Sequence, residues 1–347
     1  MVHVARPVSR ERAAQPCLKT IRFPGASQAI STTANNSGRK AEMPMYVQSD
    51  PRSNLSNAAK PNGTKVHDSY FGSQLALFYE TVPQIADANG DTWISRGQNF
   101  VVAYSNAKEG GLFSRRSQPD EYALIIPDKE TSVEITTAEG TAVVPGYSIA
   151  FVPPGDSSIR VSTGGSIVRL FTPKSEDLAS IASNADAFLG AHPNVPPFEA
   201  WPEPPGGLKL KWYTLEVPDD PSRFGRIYRC TTFMINYLSP RIGPRERDKV
   251  SPHHHDDFEQ CSLALSGSFT HHLRWPWTTN MNIWREDEHL YCESPSICVI
   301  PPPSIHTTTA ESAGVNQLVD IFAPPRMDFS QKPGWVLNAD DYPMPQV

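Results

Sequence analysis

Short apolar runs bounded by proline or glycine recur along this chain, and they recur twice in the same order. In the first half, 100–105 (FVVAYS) is followed by 113–127, by 147–154 (YSIAFVPP) and by 167–173 (IVRLFTP). In the second half, 233–238 (FMINYL) is followed by 250–267, by 295–302 (PSICVIPP) and by 318–324 (LVDIFAP). Each copy closes on aromatic-x-Pro, at Phe171-Thr172-Pro173 and Phe322-Ala323-Pro324. Runs this short, β-branched and punctuated read as strands. Self-similarity in order and spacing reads as duplication of one structural unit. The expectation is an all-β chain with units at 67–185 and 208–326. A Pro-rich linker, 186–207, joins them as a stiff spacer. Residues 174–190 carry a short amphipathic helical pattern, and 327–347 reads as a tail packed along a barrel.

Composition supports this reading. The chain has 347 residues, 34 of them proline against 21 glycine, which breaks long helices and central strands. Net charge is −6 with no basic stripe, so a nucleic-acid partner is not expected. No apolar run approaches ~18 residues, so neither is a membrane span. The five cysteines (Cys17, Cys230, Cys261, Cys292, Cys298) include no C-x-x-C, and they read as free thiols of a reducing, cytoplasmic compartment. Residues 1–66 read as an extension. Its first 45 residues are basic, as in an organellar transit peptide, but Pro7, Pro16 and Pro24 spoil an amphipathic helix. A disordered tail is favoured, or a start at Met43 or Met45.

Candidate chemistry concentrates in Pro252-His253-His254-His255-Asp256-Asp257-Phe258-Glu259 and in the later Pro301-Pro302-Pro303-Ser304-Ile305-His306. Side chains two apart on a strand share a face. His253 and His255 therefore point one way and His254 the other. Glu259 has the same parity, unless a bend through Asp256-Asp257 breaks the count. His306 would join from a second strand. Three histidines in a row can also be a plain solvated loop. Converging in one concavity, three imidazoles and a carboxylate make a divalent transition-metal site.

H-x-H-x3-E, then Gly267, then a distant P-x-x-x-H resembles the paired motifs of the cupin superfamily. The resemblance implies two double-stranded β-helix (jelly-roll) barrels in tandem, a bicupin, with a metal held by His253, His255, Glu259 and His306. The second motif departs from the family pattern: it has no glycine before His306 and no asparagine after it. Aligning the halves sets Arg115 opposite His253, Ser117 opposite His255, Glu121 opposite Glu259 and Ser158 opposite His306. Arginine carries only donors and a fixed charge, so the first barrel is expected to hold no metal. Arg115 is expected to pair with Glu121 inside it; an alternative is an anion held by Arg115 or Arg116.

Such a ligand set accepts Fe(II), Mn(II), Ni(II), Zn(II) or Cu(II). Fe(II) with O2 would cleave an aromatic or diketone-like substrate, whereas Mn(II), Ni(II) or Zn(II) acting as a Lewis acid would serve isomerisation or decarboxylation. His271, His272 and Arg274 are candidate pocket groups, one of the two histidines facing inward. Trp275, Trp277 and Trp284 are candidate walls or lids. Within cupins the chain resembles the large subunit of two-component hydroquinone 1,2-dioxygenases. That implies a small-molecule substrate, O2, and a smaller partner subunit or a homo-oligomer. Gentisate-type bicupins use three histidines and lack the carboxylate, so Glu259 argues against them. The leading reading is an iron dioxygenase, ahead of a redox-neutral cupin enzyme and of a non-catalytic sensor or storage bicupin.

Overall fold

The computed structural model describes residues 69–278 and 280–346. The extension 1–66, its alternative readings and Cys17 lie outside the described residues. Every pairing between named strands is antiparallel, and the strands form two seven-stranded sheets, one of four strands and one of three. Each large sheet faces a small one, giving two double-stranded β-helix barrels. In the first, the small sheet holds Leu112–Gln118, Gly155–Val161, Val133–Thr137 and Gly140–Val144. In the second it holds Glu288–Glu293, Ser268–Arg274 and Ile305–Ala310.

Two strands cross the partition drawn from sequence. Gln74–Leu77 pairs with Ser296–Ile300 of the second barrel, and Lys211–Thr214 pairs with Ser148–Val152 of the first. The exchange covers an edge that each large sheet would otherwise expose. The two large sheets pack back to back. Ile125 and Phe151 of one meet Phe233, Leu263 and Ile321 of the other in one fully buried core. Alternation sends Leu124 and Ile126 the opposite way, into the first barrel's own interior.

The helical expectation at 174–190 resolves into two single turns, Glu176–Ala179 and Ala185–Phe188. The Pro-rich linker runs along the seam: its Val195 and Pro196 carbonyls accept from the side chains of Gln98 and Asn99, and Trp201 N–H donates to Thr231. The tail packs there too, with the Tyr342 carbonyl accepting from Arg229 Nε at 3.0 Å. Cys230, Cys261, Cys292 and Cys298 are buried free thiols. No described helix is long and apolar enough to cross a membrane.

Candidate metal centre

The strand Glu259–Ser266 lies between Ser296–Ile300 and Val315–Ala323 in the large sheet of the second barrel. Just before it, His253 and His306 pair as antiparallel neighbours, each backbone N–H donating to the other's carbonyl at 3.0 and 2.7 Å. Their rings lie 4.4 Å apart between centroids, and the His255 ring lies 5.0 Å from that of His306. All three are buried. His254 points away, half-buried beside Asp256.

Glu259 does not join them, so the expected fourth ligand is corrected. The chain bends through Asp256, Asp257 and Phe258, and the bend uses up one step of the alternation. A one-residue slip sends every following side chain to the other face. Glu259 therefore faces the first barrel. Its two oxygens accept the backbone N–H groups of Gln98 and Asn99, each at 2.9 Å. Burial pushes its carboxyl up to about 7, while those two N–H groups and Arg96 work the other way. Gly97 makes the approach possible, because a Cβ there would stand 2.5 Å from Glu259 Oε2.

Gln260 takes the inward place. Its Oε1 lies 3.1 Å from His255 Nε2 and 3.3 Å from His306 Nε2. Each histidine is fixed through its other nitrogen: Nδ1 of His253, His255 and His306 lies 2.9–3.0 Å from the carbonyls of Ser251, Phe258 and Ser304. A carbonyl only accepts, so each Nδ1 carries a proton, and a ring in its neutral form keeps its lone pair on Nε2. Burial, His306 and Arg326 hold the His255 pKa well below the ordinary imidazole range. Nitrogen lone pairs thus face an amide oxygen that is itself an acceptor. A cation between them resolves that conflict. Metal–ligand bonds of about 2.0–2.2 Å put neighbouring donors roughly 3.0–3.5 Å apart, the spacing Gln260 Oε1 keeps from both rings. Among the described residues no three His, Cys, Asp or Glu side chains converge on one point by themselves. The Gln260 amide oxygen is a further donor beside the histidine nitrogens.

A cavity of about 550 Å3 opens from His253, His306 and Gln260. Buried Asp320 and Phe269 and half-buried Phe224 line it, and the exposed Arg241, Glu246 and Lys249 stand at the mouth with half-buried Arg245. Of the candidate pocket groups, His271 faces the barrel interior. It hydrogen-bonds through Nδ1 to the cavity-lining Thr308 at 2.9 Å, and burial takes its pKa down to about 3. His272 and Arg274 are corrected: alternation places them on the outer face, against His289 and Asp287. Trp275 is buried against Phe71 and Arg285, and Trp277 stacks on Trp284 away from the cavity, so none of the three is a wall.

The expected Arg115–Glu121 pair is also absent. Arg115 makes a two-pronged bond to Asp177 at 2.6 and 2.9 Å. Glu121 mirrors Glu259: it reaches into the other barrel, accepting from Thr231 N–H at 2.9 Å, Thr231 O–H at 2.8 Å and Tyr342 O–H at 2.7 Å. The carboxylate shared by both halves is thus a reciprocal clamp between barrels. At the position of Gln260 the first barrel has Tyr122, bonded to Ser157 at 3.0 Å and stacked on Phe171.

Gln260 and Asp320 were missed in the sequence. Their signal was the alternation of polar Gln260 and Ser262 with apolar Cys261 and Leu263, which marks a polar inner face.

No known family model matches the sequence, and no curated protein matches it. Solved structures do. The chain superimposes on oxalate decarboxylase from Lactobacillus farciminis, in complex with formate, with a TM-score of 0.52 and 13% identity, over 75% of this chain and 88% of that one. A single-site mutant of the Bacillus subtilis oxalate decarboxylase gives 0.48 and 12%, over 84% and 86%. AerE from Microcystis aeruginosa gives 0.42 and 11%, over 68% and 93%. At such identities the likeness concerns the fold. Paired barrels and duplicated strand order agree with it: the chain has a bicupin-type fold, two double-stranded β-helix barrels in tandem.

Proposed function

We propose that this bicupin is a mononuclear metal-dependent enzyme whose ion is held by His253, His255, Gln260 and His306. The observation that carries the reading is the pair of ring nitrogens, Nε2 of His255 and of His306, turned toward the Gln260 oxygen, with His253 beside His306 and Nδ1 of all three rings pinned to a backbone carbonyl. Among divalent ions Fe(II) is favoured over Mn(II), Ni(II) and Zn(II), and the reaction proposed is cleavage of a hydroquinone-like aromatic substrate by O2.

Loss of Glu259 from the donor set changes which dioxygenases the site resembles. The likeness to hydroquinone 1,2-dioxygenase rested on that carboxylate as fourth ligand. The objection to a gentisate-type, three-histidine enzyme rested on it too, and that objection is gone. All four donors are neutral, so an ion would keep its full double charge, which favours a substrate that binds as an anion. Held by His253, His255, Gln260 and His306, Fe(II) would supply activation of O2, and both oxygen atoms would enter the product. Phe224 and Phe269 supply flat apolar walls for a planar ring. Arg241, Arg245 and Lys249 at the mouth favour a substrate with a carboxylate at its outer end. The back-bonded histidines hold their geometry while the substrate exchanges.

The test is anaerobic loading with Fe(II), followed by oxygen uptake over hydroquinones, catechols, gentisate-like acids and β-diketones. Uptake that vanishes in His306→Ala supports the reading. No uptake, with turnover of a keto acid by the Mn(II) or Zn(II) form, points instead to a redox-neutral lyase or isomerase.

A further inference from the structure

Gln260 is an unsymmetrical ligand. Its amide has oxygen at one corner and NH2 at the other in nearly the same shape, and only the oxygen serves a cation. Something must decide which corner faces the histidines. Gln260 Nε2 lies 3.2 Å from Asp320 Oδ1 and 3.2 Å from Ser262 Oγ. Ser262 Oγ in turn lies 2.8 Å from the same Asp320 oxygen. The carboxylate accepts, so the serine proton goes to Asp320 and the serine oxygen is left to accept from Gln260. Both neighbours on that side are acceptors. The NH2 corner is drawn to them and the oxygen turns to His255 and His306. The three side chains are buried and held on adjacent strands, Ser262 directly opposite Asp320.

We propose that Asp320 is a positioning residue that locks the polarity of the Gln260 amide and thereby makes the pocket a cation site. The idea rests on the metal reading above. It also accounts for a glutamine at 260. A glutamate there would set a second carboxylate against Asp320, and like charges so close oppose each other. The first barrel has lost the whole set at once. In the matching register Tyr122 stands for Gln260, Leu124 for Ser262 and, opposite Leu124, Arg169 for Asp320. A buried guanidinium replaces the carboxylate where no cation is to be held.

The test is Co(II) titration of the full chain, followed by visible absorption and by competition with a chelating dye, with thermal unfolding to confirm folding. Asp320→Leu should weaken Co(II) binding roughly 10- to 100-fold. Asp320→Asn keeps an oxygen that accepts both donors, and should restore most of that loss. In a Gln260→Glu background both corners are oxygen and orientation no longer matters. There Asp320→Leu should leave affinity unchanged or raise it, a reversal that a merely structural role would not produce. An equal loss in both backgrounds overturns the lock, as does an Asp320→Asn variant as weak as Asp320→Leu. If Asp320→Leu does not fold, Ser262→Ala compared in the two backgrounds decides by the same criterion. A wild-type chain that binds no Co(II) overturns the metal reading itself and this inference with it. Wild-type binding with a failed reversal overturns the lock alone.

Discussion

Replacing Glu259 by alanine should destabilise the protein and leave its metal in place. The side chain is fully buried at the seam, and each oxygen holds one backbone N–H of the hairpin at Gln98 and Asn99. Removing it leaves two N–H groups without their acceptors, at about 1–3 kcal/mol each when buried. Part of this is returned, because the burial that raises the carboxyl to about 7 is no longer endured. A net loss of about 2–4 kcal/mol follows. At roughly 1.5–2 °C per kcal/mol for a chain of this size, the melting temperature should fall by about 3–8 °C. Calorimetry and metal titration on the same sample give both readouts. A variant that keeps its melting temperature but loses its metal would refute the reasoning and return Glu259 to the ligand set.

Three further outcomes follow from the same geometry. Gly97→Ala should lower the melting temperature, by about 1–3 kcal/mol of overpacking, because its Cβ would meet Glu259 Oε2 at 2.5 Å and the buried Phe100 ring at 2.6 Å; combined with Glu259→Ala the carboxylate clash goes and the Phe100 clash stays, so the glycine change should cost less without becoming neutral, and full additivity would contradict the clamp. Burial raises the Glu121 carboxyl, with Thr231 and Tyr342 opposing it, so the fold binds this proton more tightly than the unfolded chain does. That contribution is complete below the ordinary carboxyl range near ~4.3 and is lost as pH rises through the elevated folded value. Glu121→Gln should flatten this part of the curve of melting temperature against pH, and an unchanged slope would count against it. Reversing charge at the mouth with Arg241→Glu and Lys249→Glu should raise KM for a carboxylate-bearing quinol roughly 3- to 10-fold, with little effect on a neutral quinol, and added salt should shrink the difference.

Much of the fold was legible because it depends on periodicity. The run at 167–173 emerges as Gly165–Phe171 and that at 295–302 as Ser296–Ile300, each β-branched and ended by proline. The strand exchange was not legible: Gln74–Leu77 and Lys211–Thr214 carry ordinary strand patterns, and nothing in a local pattern names a partner a whole barrel away. At the site, His253, His255 and His306 were readable from parity and spacing. Glu259 was misplaced because the count ran through Asp256–Phe258, where the backbone bends and slips by one. An acidic side chain beside histidines also looks like a ligand whatever it does, whereas an amide such as Gln260 draws no notice. The equivalence of Glu121 and Glu259 was visible in the aligned halves. It meant a clamp repeated in both barrels, not a metal ligand surviving in one.

The most direct measurement is anomalous scattering from crystals of the protein loaded with a single equivalent of Fe(II) or Co(II). The account predicts one peak per chain, in the second barrel, within about 2.0–2.2 Å of Nε2 of His253, His255 and His306 and of Gln260 Oε1. Glu259 should remain on the Gln98 and Asn99 amides. A peak ligated by Glu259, a peak in the first barrel, or none in a chain whose histidines are intact would contradict it.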